Sequence, residues 1–156
     1  MRSEDEHWMQ HALALARDSA TLDEVPVGAV VVLDQTIIGR GHNQPITLND
    51  PSAHAEVMAI RDACTEMGNY RLPQATLYAT LEPCLMCVGA IVHARIKRVV
   101  FGAREPKAGA VCSRCAGFEL EHLNHRVDWS EGICADESAT LLSEFFQIKR
   151  RRARST

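Results

Sequence analysis

Two short segments, His54-Ala55-Glu56 and Pro83-Cys84-Leu85-Met86-Cys87, each stand at the predicted start of a helix, and together they restrict what this chain can fold into. Cysteines three residues apart on a helical turn point to the same side, so both sulfurs can meet one ion. The positive end of the helix favours the thiolate, the form that binds metal. A histidine at a second helix start adds a neutral nitrogen from across a sheet, and three donors of this kind suit zinc. Three protein ligands leave the fourth tetrahedral position for water, which points to catalysis. Glu56 lies two residues beyond His54, so its carboxylate projects into the same pocket without having to bind the ion. That is the placement for a group that takes a proton from metal-bound water. A lone His-x-Glu is a weak pattern, since an early-helix carboxylate often serves only the helix dipole. Joined to Pro-Cys-x-x-Cys on another helix start, it becomes a specific signature.

The remaining pattern supplies a frame for the two helices. Ser3 and Glu6 have capping-box spacing, and Trp8, Met9, Ala12, Leu13, Leu15 and Ala16 recur at helical intervals. Residues 27–33 and 36–41 predict two strands joined at Asp34-Gln35, the first buried on both faces. After a loop at 45–51, a helix begins at Ser52 or Ala53, places Val57, Ile60 and Cys64 on one face, and stops at Gly68-Asn69. Residues 76–80 form a strand, Pro83 opens a helix running to about Ala94, and 99–102 form another strand. Residues 103–125 are irregular apart from a short helix at 118–122, and 126–129 form a fifth strand. Asp136-Glu137 opens a last helix that buries Leu141, Leu142, Phe145, Phe146 and Ile148 before a basic tail. Alternating strands and helices predict an α/β layered domain on a mixed sheet. A chain of 156 residues with 46% hydrophobic content suits one core, so a single domain is expected over 1–156, with its basic tail at 149–156.

The longest apolar runs are too short to span a bilayer, and the first twenty residues lack a secretory pattern. A soluble, cytoplasmic protein is expected. Six cysteines, four of them in two Cys-x-x-Cys pairs, fit metal or redox sites in a reducing compartment better than a disulfide framework. Charge is uneven: residues 148–156 carry +5 and residues 93–107 carry +4, leaving −12 on the rest of a chain whose net charge is −3. Two basic segments on an acidic background suit a polyanion-binding surface, although charged runs are usually just solvated.

Glu24-Val25-Pro26-Val27-Gly28-Ala29-Val30, His42-Asn43, Ala53 to Glu56, Thr80 to Cys87, Asn124-His125-Arg126 and the paired Phe145-Phe146 carry a resemblance that covers most of the chain. It resembles the bacterial tRNA adenosine deaminases of the cytidine deaminase superfamily. The resemblance implies a three-layer cytidine-deaminase-like fold, a central mixed five-stranded sheet with helices on both faces. It implies one Zn2+ per subunit on His54, Cys84 and Cys87, with Glu56 moving protons in the hydrolytic deamination of wobble adenosine to inosine. Asn43 and the backbone N–H of Ala55 then hold the target nucleoside. Glu105, Lys107, Phe146 and Arg150 are further candidate substrate contacts, and Arg95, Arg98, Lys107 and the arginines at 150–154 are expected to meet the phosphates. The implied partners are a tRNA anticodon stem-loop and a second subunit in a homodimer, with no membrane and no DNA.

Two features depart from that pattern. Glu105 stands where the family usually has Asp, and Pro106 stiffens the loop beside it. Cys112-Ser113-Arg114-Cys115 is a pair the family does not require. With Cys84 and Cys87 it defines an alternative, a non-enzymatic four-cysteine structural zinc module. That alternative leaves His54 and Glu56 unexplained, and its 24-residue gap exceeds the roughly 15–20 of zinc ribbons. A nearer rival is a deaminase of free guanine, cytosine or a nucleoside, which needs no basic surface. A riboflavin-pathway pyrimidine deaminase fits less well, because that family spaces its cysteines more widely.

Overall fold

Ser3 caps the first helix as its spacing predicts, its hydroxyl oxygen accepting the backbone N–H of Glu6 at 3.2 Å. A computed structural model describes residues 3–155. Helix α1 (Glu4–Thr21) buries Trp8, Met9, Ala12, Leu13 and Ala16. Strands β1 (Gly28–Leu33) and β2 (Thr36–His42) pair antiparallel through Asp34-Gln35. Both turn residues have positive φ, 50° and 62°, the backbone twist that a two-residue hairpin needs. On its other edge β1 pairs antiparallel with β3 (Thr76–Leu81); β3, β4 (Arg98–Ala103) and β5 (Asp128–Ser130) then run parallel. The sheet order is β2-β1-β3-β4-β5, the expected mixed five-stranded sheet.

Strand alternation sends side chains to two cores. Ala29, Val31, Leu77, Ala79, Val99 and Phe101 face the layer of α3 (Ala55–Met67) and α4 (Leu85–His93). Val30, Val32, Tyr78 and Val100 face α1, with α5 (Ala135–Ser155) packed beside it through Leu141. Helices cover both faces, as the resemblance implies, and β1 is buried on both sides.

Several boundaries differ from the sequence expectation for local reasons. The carboxylate of Asp50 accepts the N–H and hydroxyl of Ser52 at 2.9 and 2.7 Å, and Ala53 N–H donates to Asp50 O. That turn delays the helix to Ala55, with His54 as its N-cap. Pro83 stays outside α4 because Cys84 is the N-cap, and the Pro83 carbonyl accepts the N–H of Ala110. The 45–51 loop contains a single helical turn, α2 (Pro45–Leu48), and the 118–122 helix shrinks to a 3-10 turn at Gly117–Glu119. On α5, Phe145 is buried but Phe146 and Ile148 are 41% and 48% exposed. With Ser138 and Phe145 turned inward, Phe146 and Ile148 fall roughly 80° to either side at 100° per residue.

Candidate metal centre and its cavity

The start of α3 is pressed against β2. A Cβ on Gly41 would lie 2.3 Å from the carbonyl oxygen of Ala55 and 2.4 Å from the nitrogen of Ala59, so only glycine lets the helix approach this closely. The approach seats His54 and Glu56 over the end of the sheet. The second ligand segment is held by an isolated antiparallel bridge between Cys84 and Gly109.

Between these segments the His54 Nδ1 lies 3.5 Å from Cys84 Sγ and 3.6 Å from Cys87 Sγ, and the two sulfurs are 3.7 Å apart. A tetrahedral zinc with bonds of about 2.3 Å to sulfur and about 2.05 Å to nitrogen requires about 3.75 Å between sulfurs and about 3.55 Å from nitrogen to sulfur. The donor set fits one zinc ion. Hydrogen bonds link the three groups: the one with Cys87 and that with His54 hold the Cys84 thiol well below its ordinary range. The same bond with Cys84, together with burial, pushes the Cys87 thiol up. His54 is raised by its hydrogen bond to Cys84.

Glu56 is buried at 4% exposure beside this cluster. Burial pushes its carboxyl up, against the opposing pull of its own backbone N–H and of His54. A carboxyl held toward protonation is suited to both accepting and returning a proton near neutrality. His54, Glu56 and Cys84 line a cavity of about 180 Å³ together with Asn43 and Glu105, and Val25, Val27 and Leu81 give it apolar walls. An engineered cavity of about 150 Å³ accepts benzene, so this one has the scale of one planar ring system.

One wall depends on Glu82, a residue to which the sequence reading gave no role. Its carboxylate, 2% exposed, accepts the backbone N–H groups of Glu105, Val111, Cys112 and Ser113 at 2.9–3.1 Å, and the Ser113 hydroxyl as well. Burial opposes its ionisation, but these donors outweigh burial and lower its pKa to about 2. Gly109 leaves room for this carboxylate, since a Cβ there would lie 2.4 Å from it. Glu24 plays a similar part at α2, its buried carboxylate accepting the N–H groups of Ile46 and Thr47. Both lie in segments that carry the family resemblance, beside apolar residues that enter the core.

Among the predicted site residues, Asn43, His54, Glu56, Cys84 and Glu105 meet at the cavity, and Cys87 is fully buried behind it. Ala55 is the buried first residue of α3. Lys107 is exposed, its N–H donating to the Glu105 carboxylate at 2.9 Å. Phe146 and Arg150 are exposed on α5 and do not line this cavity.

The four-cysteine alternative is overturned. Among the described residues His54, Cys84 and Cys87 form the only grouping with metal-ligand proximity. Cys112 Sγ instead faces Glu131, and Cys115 Sγ faces the Ala110 carbonyl. The basic segment at 93–107 is also largely engaged within the fold. Arg98 donates to both Asp5 carboxylate oxygens at 3.0 and 2.8 Å and to Ser130, joining α1 to β5, which corrects its expected phosphate role. Arg104 is paired with Glu131 in the same bidentate fashion, and Arg95 donates to the carbonyl of Val92.

Comparison with known proteins agrees with this geometry. Residues 2–103 match the cytidine and deoxycytidylate deaminase zinc-binding region. The tRNA-specific adenosine deaminase of Haemophilus influenzae is 50% identical over 96% of this chain and 88% of its own length. A solved structure from work on A-to-I editing by tRNA:A34 deaminases at the wobble position of transfer RNA is 48% identical, with a TM-score of 0.85 over 87% of this chain and 99% of its own. A guanine deaminase from Nitrosomonas europaea, 24% identical, shares the fold with a TM-score of 0.76 over 93% of this chain and 85% of its own. No described helix is long and apolar enough to cross a membrane. A zinc-fitting His/Cys/Cys cluster on this sheet, together with near full-length relatives at this identity, places the chain in the family of zinc-dependent tRNA-specific adenosine deaminases.

Proposed function

We propose that this chain hydrolyses adenosine to inosine at the wobble position of a tRNA anticodon, acting as one deaminase unit over 1–156. The observation that carries the reading is the buried Glu56 carboxyl beside the zinc-fitting donor cluster, in a cavity sized for one base. His54, Cys84 and Cys87 would hold the ion, which when bound supplies a water acidified toward neutral pH. Glu56 takes the proton from the attacking water and delivers it to the adenine ring. It then takes the second proton from the hydroxyl now on the ring carbon and passes it to the amine, so that the carbon–nitrogen bond breaks, ammonia leaves and the water oxygen remains as the inosine carbonyl. The Asn43 amide and the Ala55 N–H, at the positive end of α3, hold the nucleoside. The walls exclude bulk water from the proton transfer.

Outside the cavity, Glu105 and Lys107 sit on the adjoining loop, where a flipped nucleotide passes. Phe146 and Arg150 are four residues apart on the exposed side of α5, a spacing that aligns a stacking ring with a phosphate ligand on one helix face. Arg151 and Arg154 continue the basic end of α5 beyond that pair, whereas Arg152 is tied to Asp23 at 2.8 Å. A homodimer in the cytoplasm, with the anticodon loop touching both subunits, completes the proposal. Exposed apolar Leu85 and Met86 at the start of α4 support such a subunit contact.

The test incubates zinc-loaded protein with an anticodon stem-loop bearing wobble adenosine, beside free adenosine, cytosine and guanine, and follows inosine and ammonia. Inosine in the RNA is the expected result. Ammonia from a free base with none from the RNA would favour the free-base deaminase and refute the tRNA assignment.

A further inference from the structure

We infer that Ser19 and His42 are positioning residues that aim Asn43 into the cavity, an inference that rests on the proposed role of Asn43 in holding the nucleoside. Ser19 is fully buried near the end of α1, and His42 ends β2. The Ser19 hydroxyl lies 2.9 Å from the carbonyl oxygen of Asn43 and 3.2 Å from His42 Nδ1. A hydroxyl has one hydrogen and a carbonyl oxygen only accepts. Ser19 therefore donates to Asn43, and His42 donates its Nδ1–H to Ser19. Proton counting thus places a hydrogen on His42 Nδ1, which atom positions alone leave open.

Two further bonds complete the clamp. The Asn43 N–H donates to the Val27 carbonyl at 3.0 Å, and the Gln44 N–H donates to the Ala53 carbonyl at 2.9 Å. The peptide plane before Asn43 is pinned through its N–H, and the plane after it through both its C=O and its N–H. Together they fix the direction of the Asn43 Cα–Cβ bond. The side chain makes no hydrogen bond of its own among the described residues and lines the cavity with His54 and Glu56. Ala53 immediately precedes the ligand His54, so the same clamp ties the nucleoside-facing amide to the metal loop. Ser19 and His42 touch neither the cavity nor the donor cluster; they act through the Asn43 backbone.

A double-mutant cycle on the zinc-loaded protein separates this from a general structural role. Ser19→Ala is expected to lower kcat/KM on the stem-loop about tenfold, mainly through KM and with one zinc retained, but less than about twofold when Asn43 is already alanine. His42→Gln, which keeps a donor, should stay within about threefold of the wild type, whereas His42→Leu should match Ser19→Ala. Equal losses from Ser19→Ala in both backgrounds, or loss of zinc in the single variant, would overturn the inference. Full activity in Asn43→Ala alone refutes the nucleoside-holding role itself, a result distinct from an impaired Asn43→Ala to which Ser19→Ala adds its whole loss. If Ser19→Ala does not fold, the His42→Leu cycle carries the same decision.

Discussion

Replacing Glu82 by glutamine keeps the size of the side chain and removes its charge. In the native fold the carboxylate accepts four backbone N–H groups and one hydroxyl while almost wholly buried. An amide there would turn its own N–H hydrogens toward those donors, leaving several without an acceptor. The lowering of the carboxyl from an ordinary 4.5 to about 2 reflects the preference of the folded site for the charged form. At about 1.36 kcal/mol per pKa unit, it amounts to about 3 kcal/mol at neutral pH. For a chain of this length that is a fall in Tm of roughly 6–12 °C. Because the folded pKa lies below the unfolded one, the contribution is fully present above about 4.5 and disappears as pH falls toward about 2. Denaturant unfolding of both proteins at pH 7, 5, 4 and 3 tests this. The stability gap between wild type and Glu82→Gln should be widest at pH 7 and should narrow between pH 4.5 and 2. Zinc loss in acid affects both proteins and largely cancels in that difference. A gap below about 1 kcal/mol at pH 7, or one that is constant across this range, refutes the account of Glu82 as an ionised hub.

Three further outcomes follow from the site. Glu56→Ala should retain one zinc per chain by metal analysis while losing deamination by several orders of magnitude, and full activity in that variant would refute the proton-carrying role. Gly41→Ala forces a methyl into the Ala55 carbonyl and should cost about 1–3 kcal/mol in denaturant unfolding while weakening zinc binding in a chelator competition; an unchanged midpoint and affinity would contradict the close-approach reading. The double variant Cys112→Ser, Cys115→Ser should keep its single zinc and its activity, since neither sulfur faces the ion; loss of metal would reopen the ligand assignment.

The metal ligands were legible because their geometry is local. A helical turn brings Cys84 and Cys87 together whatever the rest of the chain does, and the strand and helix periods were strong enough to place the sheet. What escaped the sequence depends on distant partners. Glu82 acquires its role only when residues 105–113 fold back across 23–31 positions to present their N–H groups. Arg98 reads as part of a basic run, yet its partner Asp5 lies 93 residues earlier, so charge counting alone could not tell an internal tie from an RNA contact. Ile148, apolar and in phase with the buried residues of α5, is exposed because apolar spacing gives a helix's inward direction but not how wide a strip its neighbours cover. Residues 103–125 have no period because they are held by side-chain acceptors and turns instead of a ladder.

Both metal-bearing helices present their N-terminal ends to the cavity. At 1.5 Å per residue, the thirteen residues of α3 carry the chain about 20 Å from His54 before it reaches Gly68. There the backbone takes a φ of 62°, with nothing within 4 Å of where a Cβ would stand. The turn that ends α3, closed by the Gly68 and Asn69 N–H groups on the Thr65 and Cys64 carbonyls, therefore faces open space at the end of the helix remote from the donor triangle.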